Sequence, residues 1–120
     1  MKVMKNTKLK HIIFFAVALA VCGALALALV KTSPKAILFY GDTCPHCENV
    51  EEYINAHNLE SKVPFQRLEV FNNQANANLL SKKASACGMN TDSVGVPFLY
   101  DGSKCYMGDE EVMSFFKQYE

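Results

Sequence analysis

Apolar and polar positions follow two different regimes along this chain of 120 residues. From Ile12 to Val30, nineteen residues rich in Ala, Leu and Val carry no charge. Such a run is long enough for a helix to cross a hydrocarbon core of roughly 30 Å. From Ala36 onwards the periods shorten. Ala36-Ile37-Leu38-Phe39-Tyr40 is a continuous apolar run of strand length, ended by the turn-like Gly41-Asp42-Thr43. Pro45 to about Asn58 then sets Cys47, Val50 and Ile54 on one stripe with Glu48, Glu51 and Glu52 opposite, which predicts an amphipathic helix. Pro45 suits its first position, where a missing N–H leaves nothing unsatisfied. His57, near the end of this helix, reads as a surface residue facing the negative end of the helix dipole.

Phe65 to Val70, after Pro64, alternates imperfectly and predicts a second strand. Asn72 to Ala86 predicts a helix with apolar surface from Ala75, Leu79, Leu80, Ala84 and Ala86, and Gly88 is placed to stop it. Val94 to Tyr100 predicts a third strand, Asp101-Gly102 a hairpin turn, and Lys104 to Met107 the returning strand. Asp109 is positioned to cap a last helix reaching about Tyr119, with Val112, Met113, Phe115, Phe116 and Tyr119 turned to the core. The expected order is strand, helix, strand, helix, strand, strand, helix, without internal repeats.

Charge sharpens the division. The formal net charge of zero conceals six lysines and no acids in residues 1–35, against six basic and twelve acidic residues in 36–120. An acidic domain gives no support to nucleic-acid binding, which relies on basic patches. Lys2, Lys5, Lys8 and Lys10 precede the apolar run and only Lys31 and Lys35 follow it, so the positive-inside bias keeps the N-terminus in the cytoplasm and sends the domain outward. The chain therefore divides into a basic cytoplasmic N-terminus (1–11), a transmembrane signal anchor (12–30), a linker (31–35) and a folded domain (36–120). Five extended linker residues reach at most about 18 Å, which keeps the domain close to the bilayer. A cleavable signal peptide is the rival, because Ala26-Leu27-Ala28 fits the small-x-small cleavage pattern. The apolar run exceeds the roughly 7 to 15 residues of a signal core, and no polar segment separates it from that cleavage site, which favours the anchor. Cys22 reads as a small apolar residue of the membrane helix rather than a lipidation site, since Val21 is a poor fit before a lipidated cysteine.

The candidate chemistry lies in Cys44-Pro45-His46-Cys47. Two thiols at this spacing can close reversibly into a small disulfide ring. At a helix N-terminus the free N–H groups and the positive end of the dipole favour thiolate over thiol, and a protonated His46 adds to the effect. Cys44 is the expected nucleophile, and Cys47, one turn further in, the more buried partner that resolves a mixed disulfide. Soft-metal binding, to copper or zinc, is the alternative use of the same thiolates. Zinc, however, wants four ligands, and neither a second C-x-x-C nor a paired histidine motif is present to complete them. A noncatalytic adaptor is the third possibility. Cys87 and Cys105 remain in the domain, where an oxidising compartment permits a structural bridge between them; two separate buried thiols, or a second redox pair relaying electrons to the first, are the other readings.

The element order, the Cys44 to Cys47 motif opening the first helix of the domain, and Val96-Pro97 opening the third strand together resemble the thioredoxin superfamily, most nearly its small glutaredoxin-like members. The resemblance implies an α/β three-layer sandwich of order βαβαββα over residues 36–120, preceded by one transmembrane helix. It also implies that Pro97 is cis beside the cysteines, and that the Val96 backbone pairs with an extended substrate, a form of strand addition. Pro-His between the cysteines resembles the dipeptide of the periplasmic disulfide-forming oxidants, although the domain has no room for their helical insertion. Gly108-Asp109 falls where glutaredoxins hold glutathione, but Met107 replaces a glycine and Asp42-Thr43 stand where a basic residue would precede the motif. These departures weigh against glutathione as a partner. The expected activity is thiol–disulfide exchange with protein thiols and a redox partner near the membrane, requiring no metal or organic cofactor.

Overall fold

The computed structural model describes residues 3–28 and 34–120 and divides the chain into two units, residues 1–33 and 34–120. The first unit is one helix, α1 (Val3–Ala28). It begins well before Ile12 and so takes Lys5, Lys8 and Lys10 into the same helix as the apolar run. Positions 29 and 30 of the expected span, and 31–33 of the linker, lie outside the described residues. α1 is long and apolar enough to cross a membrane. Its side chains from Asn6 to Gly23 are exposed, including Ile12, Phe14, Phe15 and Leu19.

The second unit is built around a four-stranded sheet. Its elements run β1 (Ala36–Tyr40), α2 (Pro45–Ala56), β2 (Phe65–Glu69), α3 (Gln74–Ala86), β3 (Phe98–Tyr100), β4 (Cys105–Met107) and α4 (Asp109–Lys117). The sheet order is β2-β1-β3-β4, with β1 parallel to β2 and antiparallel to β3, and β3 antiparallel to β4. Successive side chains of a strand face opposite ways, and β1 shows why five apolar residues occur in a row. Ala36 and Leu38 join Val50, Ile54, Leu99, Val112 and Phe116 on one side, whereas Phe39 joins Leu80, Ala84 and Phe98 on the other. Both faces of β1 are thus covered, by α2 and α4 on one side and α3 on the other. Burying side chains as completely as Phe39, Leu99 and Phe116 contributes about 1.5–3 kcal/mol each. Ring pairs such as Phe39–Phe98, with centroids 6.1 Å apart, and Phe65–Phe116, 5.2 Å apart, pack edge to face.

Several boundaries differ from the sequence expectation for identifiable reasons. β3 starts at Phe98 rather than Val94, because the preceding segment forms a 3-10 turn at Thr91–Ser93 and then the cis Val96–Pro97 peptide. A second 3-10 turn, Leu59–Ser61, follows α2 after Asn58, which adopts the left-handed conformation. α3 starts at Gln74, with the Asn73 side chain accepting from the Asn76 N–H at 3.1 Å. Its buried stripe is narrower than expected, Leu80 and Ala84 alone being buried, while Ala75 and Ala86 are exposed. It ends in a Schellman arrangement: Met89 N–H donates to the Ala84 carbonyl and Gly88 N–H to that of Ser85, with Gly88 at φ 76°. Gly108, not Asp109, occupies the N-cap of α4, and Asp109 is its first helical residue. Tyr119 lies beyond α4 and is exposed.

Candidate active site

β1 delivers the chain to the site and α2 receives it. Between them Gly41, Asp42 and Thr43 turn the backbone, with Thr43 at φ 61°. That is a rare conformation for a β-branched residue and costs of order 1–3 kcal/mol. The turn is pinned from β2. The Glu69 carboxylate accepts from the Phe71 N–H at 2.7 Å, the Asn72 N–H at 2.9 Å and the Asp42 N–H at 3.4 Å. Desolvation alone would raise the Glu69 pKa, but these three backbone donors outweigh it and hold the carboxyl below its ordinary value. The Phe71 ring lies so close over Gly41 that a Cβ there would overlap it. Asn72 also donates its side-chain amide to Asp42 at 3.2 Å.

Cys44 is the N-cap of α2 and Pro45 its first helical residue. The Cys44 carbonyl accepts from the N–H groups of Cys47 and Glu48, and Cys44 Sγ accepts from the Cys47 N–H at 3.2 Å. The sulfur thus sits where the first turn presents its unpaired donors, the placement that stabilises a thiolate. Cys44 and Cys47 are disulfide-bonded, with Cα atoms 5.2 Å apart. Both are buried to the same degree, each 8% exposed, so the expectation that Cys47 is the more buried of the two does not hold in this oxidised state.

Val96 and Pro97 approach from β3. Their peptide bond is cis, and the Val96 carbonyl oxygen lies 3.8 Å from Cys44 Sγ. The Pro97 carbonyl accepts from the Gly108 N–H at 2.9 Å, which ties this segment to the start of α4. An open cleft of about 290 Å³ runs beside the disulfide, lined by Cys44, Cys47 and Pro97, by Leu38, Tyr40 and Val50, and by the charged Asp42, Glu48, Glu51 and Arg67. Arg67 crosses from β2 to pair with Glu51 at 2.9 Å and with Glu60.

His46 projects to solvent, its side chain 71% exposed, and its Nδ1 lies 3.1 Å from Asp109 Oδ2. Asn49 donates to the same oxygen at 2.9 Å. The Asn49 amide and then His46 hold the Asp109 carboxyl down at about 2. This contact joins residues 63 apart in the chain, and no local pattern announces it. Its only sequence sign is a carboxylate at the start of α4.

Cys87 and Cys105 are joined in a second disulfide, with Cα atoms 6.2 Å apart, linking the C-cap of α3 to β4. His57, the C-cap of α2, stacks on Tyr53 with ring centroids 4.5 Å apart and lies 3.7 Å from Glu120. Among the described residues no group of three or more His, Cys, Asp or Glu side chains gathers as a metal site would. Cys22 is exposed on α1.

No family pattern matches the chain, and no curated protein matches it. Solved structures do. The holo form of a glutaredoxin from Populus tremula x tremuloides is 18% identical, covering 72% of this chain and 78% of its own at a TM-score of 0.49. The C-terminal domain of DsbD from Neisseria meningitidis, in its reduced form, is 18% identical, covering 88% and 96% at 0.45. A wheat glutaredoxin is 20% identical, covering 79% of this chain and 80% of its own at 0.50. At that identity the wheat structure speaks to architecture, and with the mixed sheet and flanking helices described above it establishes that residues 34–120 have the thioredoxin-like α/β fold in its small, glutaredoxin-sized form.

Proposed function

We propose that this chain is a membrane-anchored thiol–disulfide oxidoreductase whose folded domain lies outside the cytoplasm and exchanges disulfides with protein thiols. One observation carries the reading: the Cys44–Cys47 disulfide sits at the N-terminus of α2, on the wall of an open cleft, against the cis Val96–Pro97 segment. A merely structural bridge needs neither the thiolate-stabilising position nor the cleft.

In the reducing direction the Cys44 thiolate attacks one sulfur of a substrate disulfide. A Cys44–substrate bond forms, and the other substrate sulfur leaves as thiolate and takes a proton from water. Cys47, after losing its proton to solvent, attacks Cys44 Sγ, closes the Cys44–Cys47 ring and expels the second substrate sulfur. The substrate has gained two electrons and the chain has lost them; the reverse sequence oxidises a substrate dithiol. Pro45 fixes the first helical residue, His46 adds positive charge when protonated, and Val96 and Pro97 orient an extended substrate segment across the sulfurs.

The anchor is supported by the apolar, exposed surface of α1, which needs a nonaqueous environment, and by the excess of lysines on its N-terminal side. The deciding experiment is the redox equilibrium of the full chain, held in a non-ionic detergent, against glutathione buffers. A Cys87→Ser, Cys105→Ser version run beside it isolates the motif. A reversible Cys44–Cys47 couple is expected. A potential near or above about −150 mV would mark a disulfide donor and one below about −230 mV a reductant, whereas absence of the couple in both versions would overturn the reading.

A further inference from the structure

The charges around the cleft are lopsided. Among the described residues Arg67 is its one basic lining residue, and that guanidinium is already paired with Glu51 and Glu60. Asp42 and Glu48 face the same space, and no cation pairs with either among the described residues. Among the described residues the Asp42 carboxylate accepts only a neutral amide, from Asn72, and the Glu48 side chain has no hydrogen-bond or ion-pair partner. Asp42, Cys44 and Glu48 line the same cleft, and charges interact over roughly 10 Å at 0.1 M salt. A second feature at the rim is independent of these acids. Phe71 remains 56% exposed although the Glu69 clamp fixes its backbone, and its ring covers Gly41, a lining residue of the cleft. An exposed aromatic face beside unneutralised carboxylates suits the alkyl stem and charged head of Lys or Arg.

We infer that the cleft selects substrates by charge: Asp42, Glu48 and Phe71 favour cysteines that stand within a residue or two of a lysine or arginine in a polypeptide, and disfavour anionic thiols. The inference rests on the redox role proposed for Cys44 and names its substrate class. The acidic balance of residues 36–120, twelve acids against six basic residues, acts in the same direction at longer range.

The test uses three small disulfides that differ in charge: cystamine (dication), 2-hydroxyethyl disulfide (neutral) and 3,3′-dithiodipropionate (dianion). The reduced full chain in non-ionic detergent is mixed with each, closure of the Cys44–Cys47 ring is followed, and each rate is divided by that of 2-mercaptoethanol with the same disulfide. The division removes differences in leaving-group acidity. At about 20 mM ionic strength the normalised rate should fall in the order cation, neutral, anion, with about tenfold between the extremes, and the spread should collapse at 0.5 M salt. Glu48→Gln should narrow the cation-to-anion ratio about threefold, a quantity read within one variant so that any general loss of rate divides out. Equal normalised rates at low salt, or a spread indifferent to salt, would overturn the charge selection while leaving exchange at Cys44 standing. Failure of all three disulfides to react would instead remove the redox reading, and the inference with it.

Discussion

The domain carries two disulfides at opposite ends of helices, and the contrast sets the bond proposed to exchange apart from the one proposed to be structural. Cys44 caps the N-terminus of α2, where N–H groups point at the sulfur, whereas Cys87 caps the C-terminus of α3, and its partner Cys105 has its Sγ 3.5 Å from the Lys83 carbonyl oxygen. The positive end of a helix dipole stabilises a thiolate and the negative end opposes it. Opening the first bond therefore leaves a sulfur whose ionised form the helix end favours; opening the second leaves one that gains little from ionising. Chain geometry reinforces the difference. The first pair spans three residues beside a cleft, and the second spans 18 and ties α3 to the edge strand β4.

The largest effect should come from the sulfurs of the first pair. Cys44→Ser should abolish disulfide exchange, and Cys47→Ser should leave a mixed disulfide on Cys44 that survives until excess thiol is added, seen as a mass increase of the intact chain. Activity persisting in Cys44→Ser would break the comparison at its reactive end. At the structural end, Cys87→Ser together with Cys105→Ser should cost about 3 kcal/mol of unfolding free energy, the chain-entropy value for a loop of this length, in denaturant titrations of the full chain in detergent. The Cys44–Cys47 couple should persist in that variant. Next to the same bridge, Gly88→Ala forces a Cβ onto φ 76° in open space, so the cost is purely one of backbone conformation, about 1 kcal/mol. The smallest effect is confined to acid. Because the Asp109 carboxyl is held at about 2 in the fold against an ordinary 3.8, its contribution is fully present above about pH 4 and is lost as the pH falls toward 2. Asp109→Asn should therefore flatten the loss of stability between pH 4 and pH 2, read from melting temperatures; an unchanged slope would show that the contact with His46 and Asn49 does not act on the carboxyl.

What the sequence makes legible divides along the range of the interactions. β1 occupies the five residues its apolar run marks, and α2 begins at Pro45, because burial on both faces and a proline at the first helical position are local facts. The proximity of Cys44 and Cys47 follows from their spacing within one helical turn. Short and long-range features were harder to see. Three-residue 3-10 turns at Leu59–Ser61 and Thr91–Ser93 carry no periodicity to detect. Asp109 looks like a cap in sequence, yet it spends its carboxylate on His46 and Asn49 across the domain, and Gly108 takes the cap position. Likewise, nothing near Arg67 in the chain reveals that its charge is neutralised by Glu51 and Glu60, which leaves the acids of the cleft uncompensated.

The Glu69 clamp bears on the timing of an encounter. With one carboxylate holding the N–H groups of Asp42, Phe71 and Asn72, the two loops beside the Cys44–Cys47 disulfide are already in place before anything arrives. A partner that docks there has only its own flexible segment to immobilise, so the entropy lost on binding falls mainly on the visitor, and a rigid, already extended segment should be captured more readily than a floppy one of the same composition.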